Sequence, residues 1–330
     1  MRLSTLVLTV AALAVVLLIA GRFYLSDQSF SPANHFWDGI STLTESNGAK
    51  PLYSFDGLEN AVAGDTLVIV GPTTNFTADE TVQVYNFVLM GGRLIVMDDY
   101  GTSDELLHKI NSKITIGDLP LCQDVEFYKK ASLPLINGIS NESIMENVHV
   151  LALNHPVALQ VTGDARSLAS TTASAWLDLN DNAIVDENET FGAFPVVARE
   201  SKGKGEIIVA GDADILINSM LDKGDNGVLL SNIANGGTVY VDTGHGQQMP
   251  LVASLYYTIK YNIVAQIICA LIILLTGYAY TIRGRIFRRG DRGETPEEAV
   301  PDPKQSLITE MRKLPLSERE LNEFDKKWQR

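Results

Sequence analysis

Apolar positions in the middle of the chain come in short blocks, each stopped by a polar or glycine-containing turn. "DTLVIVGPTTN" holds an apolar run at about 66 to 70 that ends at Gly71-Pro72, which predicts a strand. In "TADETVQVYNFVLMGG", Thr77 and Glu80 have capping-box spacing. Val82, Val84, Tyr85 and Val88 line a helical face that Gly91-Gly92 terminates. "RLIVMDDYG" predicts the next strand, and Thr102 with Glu105 predicts the cap of a short helix, "SDELLHKI". "GEIIVAGDAD", "LLSNIAN" and "GTVYVDTGH" repeat the alternation. Strand, capped helix, strand, capped helix implies an α/β fold, a parallel sheet with helices on both faces. Residues 115–200 read as a β-rich, irregular insertion within it.

Two apolar blocks are longer. "LSTLVLTVAALAVVLLIA", residues 3–20, and "NIVAQIICALIILLTGYAYT", residues 262–281, each approach the ~20 residues that span a bilayer. The expected organisation is an N-terminal transmembrane anchor at 1–22, with a cleaved signal peptide as its alternative, an extracytoplasmic domain at 23–260, a second transmembrane helix at 261–282 and a charged tail at 283–330. Arg283, Arg285, Arg288 and Arg289 follow the second span, and arginine is held on the cytoplasmic side. The reading is a two-pass cell-membrane protein with residues 23–260 outside and both termini cytoplasmic. Asn75, Asn141 and Asn188 open glycosylation sequons in that outside segment.

Charge narrows the function. With 26 basic and 40 acidic residues, the chain lacks the basic surface of a nucleic-acid binder. Its two cysteines, Cys122 and Cys269, exclude a disulfide scaffold.

The most specific string is "WLDLNDNAIVDENET", residues 176–190. Over 178–189, Asp178, Asn180, Asn182, Asp186 and Glu189 have the spacing of side-chain ligands in a calcium loop, and Ile184 stands where a backbone carbonyl would serve. Ala183 occupies the sixth position, where glycine usually makes the turn. The flanks read as strand or coil, not as the helix pair of a sensor, so the expectation is a structural Ca2+ site. A second candidate lies at the strand ends. Asp98 and Asp99, Asp212 and Asp214, and Asp242 and His245 each follow a predicted strand, where open parallel sheets bind ligands. If these strands are neighbours, their carboxylates and imidazole form a site for a cation, or for a cationic or hydroxylated ligand. Capping and turn formation explain the same residues without a ligand, as they do for Asn218, Asp225 and Asn226.

In order along the chain, "SFSPANHFWDGISTL", "DTLVIVGP", "FVLMGGRLIVMDDYG", the 176–190 string with "GAFPVVARE", and "GKGEIIVAGDADILINSML" resemble a prokaryotic, mainly archaeal, family of membrane-anchored domains of unknown function. The resemblance covers about residues 28–246. It implies a flavodoxin-like sheet, similar to class I glutamine amidotransferases and to gliding-transport ectodomains, flanked by two transmembrane helices. It also implies a genomic association with a MoxR-type ATPase system, and no established activity.

Amidotransferase chemistry needs a cysteine on a tight strand-to-helix turn with a histidine base in reach. Asp98 and Asp99 stand at that turn, and Cys122 in "LPLCQDV" has no elbow glycines. His155-Pro156 faintly echoes an amidotransferase histidine, but lacks a cysteine partner. No G-x-S-x-G occurs either. The tail predicts two short helices, and Leu321, Phe324 and Trp328 share one face that could meet a partner or the membrane surface. The function expected is a membrane-anchored binding or scaffold protein with an envelope or membrane-protein partner. The alternative is an envelope enzyme, a metal-assisted hydrolase, working through the acidic strand ends.

Overall fold

The computed structural model describes residues 28–246 together with Ile267, Cys269, Thr309, Glu310, Lys313 and Glu318. The chain divides into a unit Met1–Tyr256 and a unit Tyr257–Arg330, and every element below belongs to the first.

The order begins with helix α1 (Ser41–Glu45), strand β1 (Lys50–Leu52), a 3-10 turn at Phe55–Asn60, and β2 (Thr66–Val70). Helix α2 (Ala78–Leu89), β3 (Arg93–Met97) and α3 (Ser103–Lys109) follow. The insertion contributes β4 (Ile114–Gln123), β5 (Leu135–Ile136), β6 (Gly138–Ile139), β7 (Leu151–Ala152), β8 (Val157–Val161), β9 (Arg166–Ser170), β10 (Ala175–Leu177), β11 (Thr190–Gly192) and β12 (Pro195–Lys202). The chain then returns through β13 (Gly205–Ala210), a 3-10 turn at Ala213–Leu216, helix α4 (Asn226–Ala234) and β14 (Val239–Asp242).

The main sheet has eight strands in the order β1-β14-β2-β3-β13-β12-β9-β6. Strands β1, β14, β2, β3 and β13 pair in parallel, whereas β12, β9 and β6 pair antiparallel. This corrects the expected flavodoxin-like, wholly parallel sheet flanked by two transmembrane helices. The reason is local: β12 and β13 are joined by a tight turn in which Gly203 takes φ +59°, and a tight turn can only join antiparallel neighbours. The rest of the insertion forms a separate sheet, β11-β10-β4-β8, and a small β5-β7 pair.

Among the described residues no helix is long and apolar enough to cross a membrane. The expected spans at 3–20 and 262–281 and the predicted tail helices lie outside the described residues. The expected two-pass topology, with residues 23–260 outside, is not borne out: no described helix crosses a membrane.

The sheet's apolar strands are buried on both sides. Alternate residues separate into two cores: Val68, Val70, Ile95 and Met97 face α1 and α4, while Leu67, Ile69, Leu94 and Val96 face α2 and α3. The α2 capping box forms as expected, with Glu80 N donating to Thr77 Oγ1 and Thr77 N to Glu80 Oε2. The α3 cap does not. Thr102 Oγ1 donates instead to the Thr74 carbonyl (2.9 Å), and Asp98 accepts the Ser103 N–H (2.9 Å) at the helix start. Opposite charges brace the sheet across strands: Arg93 Nε donates to Glu206 Oε1 (2.6 Å), Glu206 Oε2 pairs with Arg199 Nε (3.0 Å), and Arg199 also pairs with Glu142.

Candidate functional site

The carboxyl ends of β3 and β13 are neighbours in register, Met97 beside Ala210. Asp98 and Asp99 therefore come together with Asp212 and Asp214. Asp98 is buried: Oδ1 accepts the N–H groups of Asp99 and Gly101 and Oδ2 that of Ser103, all at 2.9 Å. Burial outweighs these bonds and raises its pKa. Asp212 is fully buried and accepts from Asn154 N (2.7 Å) and Asp214 N (2.8 Å); burial, then the charge of Asp214, pushes its pKa well above the usual range. Asp214 accepts from Asn154 Nδ2, and burial with the charge of Asp38 raises its pKa too. Asp99, on the solvent side, is pushed up to about 6 by burial and by the charges of Asp214 and Asp98. The charges of Asp214 and Asp98 thus act on Asp99, and those of Asp214 and Asp99 on Asp212, so the four carboxyl groups form one acidic cluster with Tyr100 exposed at its rim.

Asp242 and His245 stand apart from that group. Strand β14 lies between β1 and β2, so β2 separates it from β3. His245 Nδ1 lies 2.9 Å from Asp242 Oδ2, and its Nε2 lies 3.4 Å from Glu80 Oε2 at the start of α2. The ring stacks on Phe76 with centroids 4.1 Å apart, and Phe55 lies beyond at 5.2 Å. Burial disfavours charge on this ring, but Asp242 and Glu80 outweigh it and hold the pKa above the ordinary histidine value. The expected single edge is thus two separate groups.

The 178–189 segment is the loop of the β10–β11 hairpin. Asp178 is 1% exposed; its Oδ1 accepts from Asn180 N and Asn182 N at 3.3 Å, and its Oδ2 from Ala183 N at 2.6 Å. The chain winds around this one carboxylate. Asp181 (φ 57°) and Ala183 (φ 54°) both take the left-handed conformation, so Ala183 adopts the turn that glycine was expected to make. Glu189 reaches back to accept from Leu179 N and Asp186 N (3.1 and 2.9 Å). Asp186 Oδ2 accepts both amide groups, Asn180 Nδ2 at 2.7 Å and Asn182 Nδ2 at 3.0 Å, while Ile184 N donates to Asn182 Oδ1. Hard oxygens dominate the set, as calcium requires. Among the described residues no three His, Cys, Asp or Glu side chains are grouped as around a metal. In this loop the carboxylates engage backbone N–H and amide groups, so a cation would need the two asparagine amides to turn their oxygens inward.

The other residues singled out are structural ties. Asn218 holds the 34–42 segment through Thr42, Asn34 and Phe36. Asp225 accepts from His149 N and Val150 N, and Asn226 exchanges bonds with the backbone of Ala152. His155, in a left-handed conformation (φ 53°), has Nε2 2.8 Å from Lys130 Nζ; burial and that charge lower its pKa. Cys122 is fully buried on β4, opposite Trp176, and burial with the charge of Asp178 pushes its thiol up to about 12. Sequence reasoning missed Asn154, which ties Asp212 to Asp214, and Glu80 as a partner of His245. Asn154 immediately precedes the His155-Pro156 pair and was open to notice; the Glu80 contact depends on strand order and was not.

The chain is similar to solved structures at low identity. It resembles the mmIFT52 N-terminal domain at 19% identity, over 54% of this chain and 77% of that one, with a TM-score of 0.41. A cytoplasmic protein, STM1381 from Salmonella typhimurium LT2, matches at 14% identity over 59% and 78%, with a TM-score of 0.36. The exo-beta-1,4-mannosidase Op5Man5 from Opitutaceae bacterium strain TAV5 matches at 14% identity over 52% of this chain, with a TM-score of 0.29, and the match spans only 24% of the enzyme. At these scores the likenesses assign no activity. No curated protein matches. Residues 38–234, more than half of the chain, match the family described as Domain of unknown function (DUF4350), and the chain belongs to that family.

Proposed function

We propose that this domain is a non-catalytic binding module whose β10–β11 loop takes one structural calcium ion. The observation that carries the reading is the left-handed Ala183 (φ 54°), wound so that its N–H meets the buried Asp178 carboxylate. Spacing alone is met by many turns; this winding about the first carboxylate is what a calcium loop needs. Asp178, Asn180, Asn182, Asp186 and Glu189 would supply side-chain oxygens and Ile184 its carbonyl. The ion would then hold the β10–β11 hairpin against the rest of the insertion without switching it, because strands flank the loop.

Within the same reading, the parallel core is of the class I amidotransferase kind with no nucleophile at the turn after β3. Asp98 and Asp99 occupy that turn, and Cys122 is buried and protonated. A protein partner is the natural ligand of such a module, and the family resemblance points to a MoxR-type ATPase system. Calorimetric titration of the 330-residue chain with calcium should give one site that Asp178→Ala abolishes. Equal heats from wild type and variant would refute the loop assignment.

A second reading has one observation in its favour. Asp99, pushed up to about 6 by burial, lies beside the fully buried Asp212, whose pKa burial also raises, and carboxyl groups raised in this way are what general acid–base catalysis uses. On that reading the β3/β13 crevice is a hydrolase-type site. Asp99→Asn would abolish turnover in a screen of hydrolysable substrates while leaving the fold intact.

A further inference from the structure

The turn after β14 is bound to the β2–α2 turn through one histidine. The His245 carbonyl accepts Thr73 N at 2.7 Å and Thr74 N at 3.2 Å, so the residue grips the turn between β2 and α2 by its backbone. Its side chain grips the same region by charge, with Asp242 on its own segment and Glu80 on α2. The aromatic rings of Phe55 and Phe76 pack against the imidazole. Other charges nearby are engaged elsewhere: Asp56 with Ser54 and Gln83, and Lys109 with the Phe76 carbonyl. Among the described residues, Asp242 and Glu80 are thus the charged groups paired with the ring, one at each nitrogen.

We propose that His245 is a pH-operated clasp, closed when its imidazolium bridges Asp242 and Glu80, that holds the end of β14 onto the β2–α2 turn. A neutral ring can still donate from Nδ1 to Asp242, but its Nε2 then has no proton for Glu80, and two carboxylates face each other across it. The raised pKa of His245 agrees with preferential binding of the charged ring. The sign follows. The folded pKa lies above the unfolded value, so the clasp's contribution is complete below the unfolded pKa and is lost as pH rises through the folded pKa. The clasp also bears on the acidic group. The turn it holds is bonded to the α3 start, through Thr102 N to Pro72 O and Thr102 Oγ1 to Thr74 O, next to the Asp98–Asp99 turn.

Amide hydrogen exchange at Thr73 and Thr74 in the 330-residue chain reads the clasp directly, with the imidazole titration followed by NMR in parallel. After correction for intrinsic exchange, protection at both amides should drop in one step as His245 deprotonates, with the midpoint of the imidazole titration. His245→Gln should give low protection with no pH step. Glu80→Gln keeps the capping-box side-chain acceptor but removes its charge, so it should lower the His245 midpoint and shrink the step. This second variant decides the matter if His245→Gln fails to fold. Protection that stays constant while the imidazole titrates, or a midpoint unmoved by Glu80→Gln, would overturn the proposal.

Discussion

The Ala183 N–H donates to Asp178 Oδ2 at 2.6 Å, from a residue held at φ +54°. A side chain in that conformation is strained by roughly 1–2 kcal/mol, so something must repay it. Within the loop the repayment is a short bond to a buried carboxylate, which would otherwise lack one of its three backbone donors.

Ala183→Gly should relieve the strain. Glycine adopts the left-handed conformation freely but adds freedom to the unfolded chain, so the net gain should be about 0.5–1 kcal/mol. Urea denaturation measures it. Destabilisation by glycine would mean that the methyl group is packed, and that the turn is not the strained element.

Asp99 should leave a pH signature. Its folded pKa of about 6 lies above the unfolded value of 3.8, so the folded state holds the extra proton between them. Stability from this group is complete below about pH 4 and is lost as pH rises towards 6. Asp99→Asn should flatten the stability profile over that window, with little change below it. Denaturation midpoints at successive pH values test this; superimposable profiles would place the titration on another group.

Cys122 should be chemically silent in the folded chain. A buried thiol pushed up to about 12 carries almost no thiolate at pH 8. In a Cys269→Ser background, a thiol reagent should react with Cys122 only after denaturant is added. Glutamine should release no ammonia above buffer, and Cys122→Ala should not alter that. Rapid labelling of the native chain would contradict the burial on which the non-catalytic reading depends.

Much of the central fold was legible because its strands are buried on both faces and so read as unbroken apolar runs: β2, β3 and β13 fall where the pattern placed them. The α2 cap was legible because Thr77 and Glu80 interact within one turn. What failed depended on neighbours far along the chain. The β12–β13 hairpin, with its Gly203 turn signal in plain view, was missed because the β13 apolar run fits a parallel strand equally well. Asp242 and His245 were grouped with Asp98 and Asp212 because all follow strands, yet β14 inserts beside β1 and turns them towards Glu80 and Phe76. The loop at 178–189 was legible in its spacing. Its left-handed Ala183 was not, since nothing local shows that the buried Asp178 awaits that N–H.

Thermal melts with and without calcium test the central claim most directly. An ion that binds only the folded chain stabilises it by RT ln(1 + [L]/Kd), about 2.7 kcal/mol at a hundredfold excess over Kd. Calcium should raise Tm in a concentration-dependent way, and magnesium, which demands a tighter octahedral shell, should do less. The fluorescence of Trp176, two residues before Asp178 and buried, should respond over the same concentrations. Asp178→Ala combined with Glu189→Ala should abolish the calcium response while leaving the main sheet folded. A wild type that melts at the same temperature from zero to millimolar calcium, indistinguishable in its response from the double variant, would reduce the loop to a turn and contradict the account.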